Sequence, residues 1–212
     1  MNAKKWISLS LLGVALGCGV ARAGADGGAA DQFQKSYDAE AVGKTQDALA
    51  ALDAVPAPQR EGYVAQLRRG WLLYKLGKNA EAIEAYTRAI ALEPRSVEAR
   101  AGVLLPAMAL RRWADVESGA RELLKLDPGS YLGNLRLAFA VYNLGRYPEA
   151  AGVYRRLGEM YPSDVDVRDG LGWSLLKMGK PAEAAAELRA VLEVAPRNAL
   201  ALEGLKAAGA GR

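Results

Sequence analysis

The sequence predicts an all-α solenoid of antiparallel helix pairs, and three observations carry that prediction. Strong helix formers (alanine, leucine, glutamate, arginine) fill most windows of the 212-residue chain, which is 51% hydrophobic and has only nine prolines and two phenylalanines. Pro94, Pro128, Pro162 and Pro196 each lie 34 positions apart. Gly43, Gly77, Gly145 and Gly179 keep the same 34-residue register, with Arg111 standing in the missing place. A fixed period of this length in a helical chain means stacked helical repeats.

Each element of the repeat has a local cause. The glycines fall where one apolar helix pattern stops and the next starts, as in Leu76-Gly77-Lys78, where a left-handed residue closes the first helix. The prolines end the second helix, because proline cannot donate the next helical hydrogen bond and pushes its predecessor out of the α region. Between them run three core series: Ala48, Ala82, Val116, Ala150, Ala184; then Leu52, Tyr86, Ala120, Tyr154, Leu188; then Val55, Ala89, Leu123, Leu157, Val191. Small residues in the first series let two helices approach closely, and the tyrosines supply bulk one turn on.

These residues resemble the tetratricopeptide repeat family, whose pattern runs through Leu-Gly, a turn Gly, Ala, Tyr or Phe, Ala and Pro. Residues 63–96 carry Gly70, Gly77, Ala82, Tyr86, Ala89 and Pro94, and residues 165–198 carry Leu171-Gly172, Gly179, Ala184 and Pro196. Residues 131–164 match nearly as well. Residues 97–130 depart most, with Arg111 at the turn and Pro106 inside the first helix, so a kink or altered stacking is expected there. Residues 29–62 form a degenerate first repeat whose second helix should stop early, at Pro56 and Pro58. Asn198 can cap a final amphipathic helix over 199–208, which covers the end of the stack, with 209–212 as a tail. The resemblance implies a right-handed superhelix over residues 29–208 that holds partners in its groove.

The resemblance further implies that the inner wall is built from the first helix of each repeat. Its ninth position reads Tyr37, Trp71, Leu105, Phe139 and Trp173, and three residues on come Glu40, Tyr74, Met108, Tyr142 and Leu176. Residues at i and i+3 share a helix face, so Trp71, Tyr74, Phe139, Tyr142 and Trp173 make an aromatic strip, expected to bind an apolar or aromatic-bearing peptide. Arg68 and Arg136 are expected to pair acidic groups of that partner. Large apolar residues at helical spacing also build cores, which is the competing reading of the strip. The family's carboxylate clamp needs polar groove residues where this chain has Leu67, Trp71, Leu135 and Phe139, so that clamp is not expected.

Several function classes are excluded by composition. The chain has no histidine, which removes Ser-His-Asp and Cys-His catalysis and the usual histidine-bearing zinc sites. Gly70 to Gly77-Lys78 and Gly172 to Gly179-Lys180 have the wrong spacing for phosphate loops and are followed by Asn79 and Pro181. Asp164, Asp166 and Asp169 read as helix-start acids, not as a metal cluster. No cofactor, no metal and no catalysis are expected. The formal net charge is +4, but Lys4, Lys5 and Arg22 belong to the leader, and without them 25 basic residues face 24 acidic ones. Such a balance argues against nucleic acid as a partner.

Residues 1–23 read as a bacterial export signal: Lys4 and Lys5, an apolar run from Trp6 to Val20, then Ala21-Arg22-Ala23 before Gly24. The run is short of the about 20 apolar residues a membrane span needs. Ala15-Leu16-Gly17-Cys18 resembles a lipobox with its first two residues exchanged, so Cys18 is a candidate lipidation site and the route by which a membrane would enter. The folded part has no cysteine, which excludes disulfides. Residues 24–28 are read as a short linker. The expected function is a periplasmic interaction scaffold with a protein or peptide partner. The alternatives are a pilotin-like outer-membrane lipoprotein or an accessory of cell-wall or polysaccharide synthesis that stacks sugars on the strip.

Overall fold

A computed structural model describes residues 26–209 of the chain. Residues 1–23, read as an export signal, lie outside the described residues together with Cys18, as do 24–25 and 210–212. Eleven α-helices and no strands are present among those described. They run α1 (Asp26–Ala41), α2 (Thr45–Asp53), α3 (Tyr63–Lys75), α4 (Asn79–Leu92), α5 (Val97–Ala109), α6 (Trp113–Leu126), α7 (Tyr131–Asn143), α8 (Tyr147–Met160), α9 (Val165–Lys177), α10 (Pro181–Val194) and α11 (Ala199–Ala207). Consecutive helices pack as antiparallel hairpins, and from α3 onward each odd-numbered helix also touches the next odd-numbered one. That asymmetry curves the stack and makes α3, α5, α7 and α9 its inner wall.

The period is visible as repeated backbone chemistry. Gly43, Gly77, Gly145 and Gly179 all have φ between +74° and +79°, and Arg111 keeps the same left-handed turn at φ +55°. At the other end of each hairpin a proline sits second in a tight turn closed by a backbone hydrogen bond, Ser96 to Glu93, Ser130 to Asp127, Asp164 to Tyr161 and Asn198 to Ala195. The fourth residue of each turn then caps the next helix. Ser96, Ser130, Asp164 and Asn198 accept from the amides of Ala99, Gly133, Val167 and Ala201. One proline therefore stops a helix, and the residue two places on starts another.

All members of the three core series are buried. Their bulk alternates, and the alternation sets how repeats stack. The Tyr86 ring lies over Gly70 of its own repeat and Gly102 of the next, where an added Cβ would come within 2.8 and 2.4 Å of ring atoms. Tyr154 fills the same slot over Gly170, and the smaller Leu188 fills it over Gly172 and Gly204. The third repeat has only Ala120 here, and the facing residue of the next repeat is the long Arg136.

α5 is a single α-helix from Val97 to Ala109 with Pro106 buried inside it, where the proline forgoes one hydrogen bond, to the Gly102 carbonyl. The linker reading is corrected. α1 already begins at Asp26, within the stretch read as a linker, since adding a turn to an existing helix is easy once the alanines from 29 onward have formed it. By contrast α2 does stop early, at nine residues, and Pro56 to Gly62 replaces its last turn with a short 3₁₀ segment, Gln59–Glu61.

Candidate functional site

The inner-wall residues fall into two groups that the register alone does not separate. Trp71 on α3 donates its indole N–H to Glu40 Oε1 of α1 at 2.5 Å. Arg68, only 6% exposed, donates to Ser36 Oγ at 2.8 Å and Glu40 Oε2 at 2.9 Å, and its guanidinium lies 3.6 Å from the centroid of the Tyr37 ring. Lys75 adds a third bond to Glu40 at 3.1 Å. Burial works against the Glu40 charge, but the hydrogen bonds from Trp71 and Lys75 and the charge of Arg68 outweigh it and hold the carboxyl below its ordinary range. Arg68 and Trp71 are therefore committed to joining α1 to α3, which corrects the expectation that Arg68 meets a partner's acid.

Trp173 is committed in the same way at the other end. Its indole N–H donates to the Leu200 carbonyl at 3.3 Å, so it seats the capping helix α11 on α9. Asp169 reinforces that contact by accepting 2.6 Å from Asn198, whose side chain caps α11. Asp164 caps α9 and also receives the Tyr131 hydroxyl, so Asp164 and Asp169 are used in helix ends. No group of three or more metal-ligating side chains is found among the described residues.

Between these two ends the wall is open. Phe139 on α7 is 40% exposed, and Leu105, Met108, Tyr142 and Arg136 are half-buried. Phe139 meets Trp113 edge-on at 5.6 Å, and Tyr142 meets Tyr147 edge-on at 5.3 Å. Trp113 and Tyr147 open α6 and α8, 34 residues apart, and lean onto the inner wall from the hairpin turns. Reading only first-helix positions missed them, although their shared register was visible. Tyr74 pairs with Trp71 at 6.0 Å and bounds the open stretch on the α3 side.

A second depression, lined by Asp53, Arg60, Glu61, Gln66, Arg69 and Arg88, lies between α2 and α4. Its charges are largely paired, with Arg69 to Asp53 at 2.6 Å and Arg60 to Glu61 at 3.2 Å. All of its lining side chains are charged or polar. The open stretch on α5 and α7 is the better candidate, a mixed aromatic and aliphatic surface beside Arg136.

This architecture defines a solenoid of stacked helical hairpins with one open stretch on its inner wall. The chain belongs to the tetratricopeptide repeat family: models of that repeat match residues 63–96, 106–165 and 145–208, together more than half of the chain. Among solved structures it is similar to MamA from Desulfovibrio magneticus RS-1, with a TM-score of 0.75 at 14% identity over 81% of this chain and 97% of that one. It is similar to YrrB, described as a repeat protein with an unusual peptide-binding site, with a TM-score of 0.72 at 16% identity over 84% and 92% of the two chains. A thermophilic repeat protein of Thermus thermophilus matches with a TM-score of 0.62 at 19% identity over 84% and 97%. At these identities the likeness is one of fold. No curated protein matches by sequence.

Proposed function

We propose that the chain is a non-catalytic interaction scaffold of the bacterial envelope that binds a protein or peptide along the inner wall of its solenoid. The observation that carries the reading is the uncovered stretch at Leu105, Met108, Phe139 and Tyr142, where the wall is neither sealed by α1 nor by α11. Exposed apolar surface of this kind on a folded protein marks a contact surface, and aromatic anchors dominate such contacts. The peptide-binding description of YrrB supports a polypeptide ligand. The envelope assignment rests on Lys4, Lys5, the apolar run and Ala21-Arg22-Ala23, and is tested by the N-terminal mass of the mature protein and its cell fraction.

The groove reading is tested with a photo-crosslinking residue at position 105, compared with one at the exposed Arg155 of α8. A partner labelled from 105 but not from 155, and lost when Phe139 and Tyr142 are both changed to Ala with helix content unchanged, is the expected result. Labelling from 155 that ignores the double substitution would place the contact on the outer wall and refute the reading.

A further inference from the structure

Repeats two and four carry the same inner-wall set 68 residues apart: Leu67 and Leu135, Arg68 and Arg136, an aromatic at 71 and 139, Tyr74 and Tyr142. The two arginines nevertheless meet different surroundings. Around Arg68 the preceding odd-numbered helix supplies Ser36, Tyr37 and Glu40, and Glu40 neutralises it at 2.9 Å. The residues in register on α5 are Leu104, Leu105 and Met108, which carry no charge and no oxygen acceptor in their side chains. Trp71 and Lys75, which steady the Glu40 carboxylate, are replaced by Phe139 and Asn143. Arg136 has no ion pair and no side-chain hydrogen bond to any described residue, although its side chain is half-buried.

An arginine drawn partly out of water without a counter-charge is unfavourable, and the protein tolerates it beside an open apolar surface. Burial depresses the Arg136 pKa, and the groups facing it are Tyr74, Tyr131 and Tyr154, with Asp166 farther away than an ion pair. The chain thus contains one arginine–carboxylate seat, closed by its own α1, and a second arginine in the same register that has neither the carboxylate nor the Trp71 and Lys75 donors that steady it. We propose that Arg136 receives the aspartate or glutamate side chain of a partner polypeptide, held as Glu40 is held on Arg68, with that residue's apolar neighbours packed on Leu105, Met108 and Phe139. The occupant is an internal acidic side chain, because the seat already filled takes a side chain from a helix interior and not a chain terminus.

This inference rests on the groove reading, and its test separates the two. C-terminally amidated peptides with one glutamate or aspartate set among leucine and phenylalanine are compared with their glutamine or asparagine twins, binding being measured by fluorescence anisotropy. The acidic member should bind about tenfold or more tightly, the usual scale of a charge-assisted hydrogen bond. Arg136→Gln should bring the acidic peptide down to its twin while leaving the twin's binding unchanged. Met108→Glu should also abolish the preference, since it restores a carboxylate at the register position of Glu40; if that variant fails to fold, Arg136→Gln decides alone. Equal binding of acid and amide by the unmodified protein overturns this inference and leaves groove binding standing. A preference that survives Arg136→Gln, or that appears only with a free C-terminal carboxylate, overturns it too. Failure of every peptide to bind overturns it together with the groove reading.

Discussion

Changing Glu40 to Gln keeps the shape of the side chain and removes the charge on which three donors converge: Arg68 at 2.9 Å, Trp71 at 2.5 Å and Lys75 at 3.1 Å. The Arg68 side chain is 5% exposed and that of Glu40 19%, so the arginine would be left in the interior facing a neutral amide. Removing one member of a buried pair costs about 3–5 kcal/mol. Lys75 is accessible and the glutamine oxygen still accepts, so about 2–3 kcal/mol is expected here. For a chain of this size that is a fall of roughly 5–10 °C in the melting midpoint. A stack of repeats can also open from one end, and then the loss appears as faster amide exchange in α1 and α2 with α7 to α10 unchanged. The effect is pH-dependent with a definite sign. The Glu40 carboxyl is held below its ordinary value of 4.5, so its contribution is present above that pH and is lost as pH falls through the lower folded-state value. Urea melts of both proteins between neutral and acid pH should therefore converge in acid. A difference below about 0.5 kcal/mol at neutral pH, within the range of an ordinary surface substitution, would refute the claim that this carboxylate holds the first repeat to the second.

Two further outcomes follow from the stacking. Gly170→Ala places a Cβ 2.3 Å from the Tyr154 ring, with the ring itself buried, so a loss of about 1–3 kcal/mol is expected in denaturant melts; the same change at Gly152, where the nearest atom is 4.0 Å away, is expected to be neutral or slightly stabilising. Arg111→Gly should stabilise the protein by about 0.5–1 kcal/mol, because the arginine holds a left-handed backbone at φ +55° that glycine adopts freely, offset by glycine's larger unfolded-state freedom. A destabilised Arg111→Gly would mean that its side chain makes a contact worth more than the strain.

The fold was legible in the sequence because what defines it is local. A proline that stops a helix, a capping residue two places on and a left-handed turn residue act through the backbone within a few positions, so Pro94 with Ser96, or Leu76 with Gly77, can be read from the chain alone. The 34-residue period then predicts that equivalent side chains are equally buried, as Leu52, Tyr86, Ala120, Tyr154 and Leu188 are. The inner wall was half legible: its positions followed from the register, but their availability did not. Trp71 and Trp173 occupy the same repeat position as Phe139, yet one is taken by Glu40 and the other by the Leu200 carbonyl. Arg68 and Arg136 are likewise identical in register and opposite in state. Each of those differences is set by a residue of the neighbouring repeat, 27 to 32 positions away, whose reach and hydrogen-bonding direction depend on how two hairpins pack. Periodicity determines where a side chain stands; only the packed neighbour decides whether its charge or its indole N–H is already used.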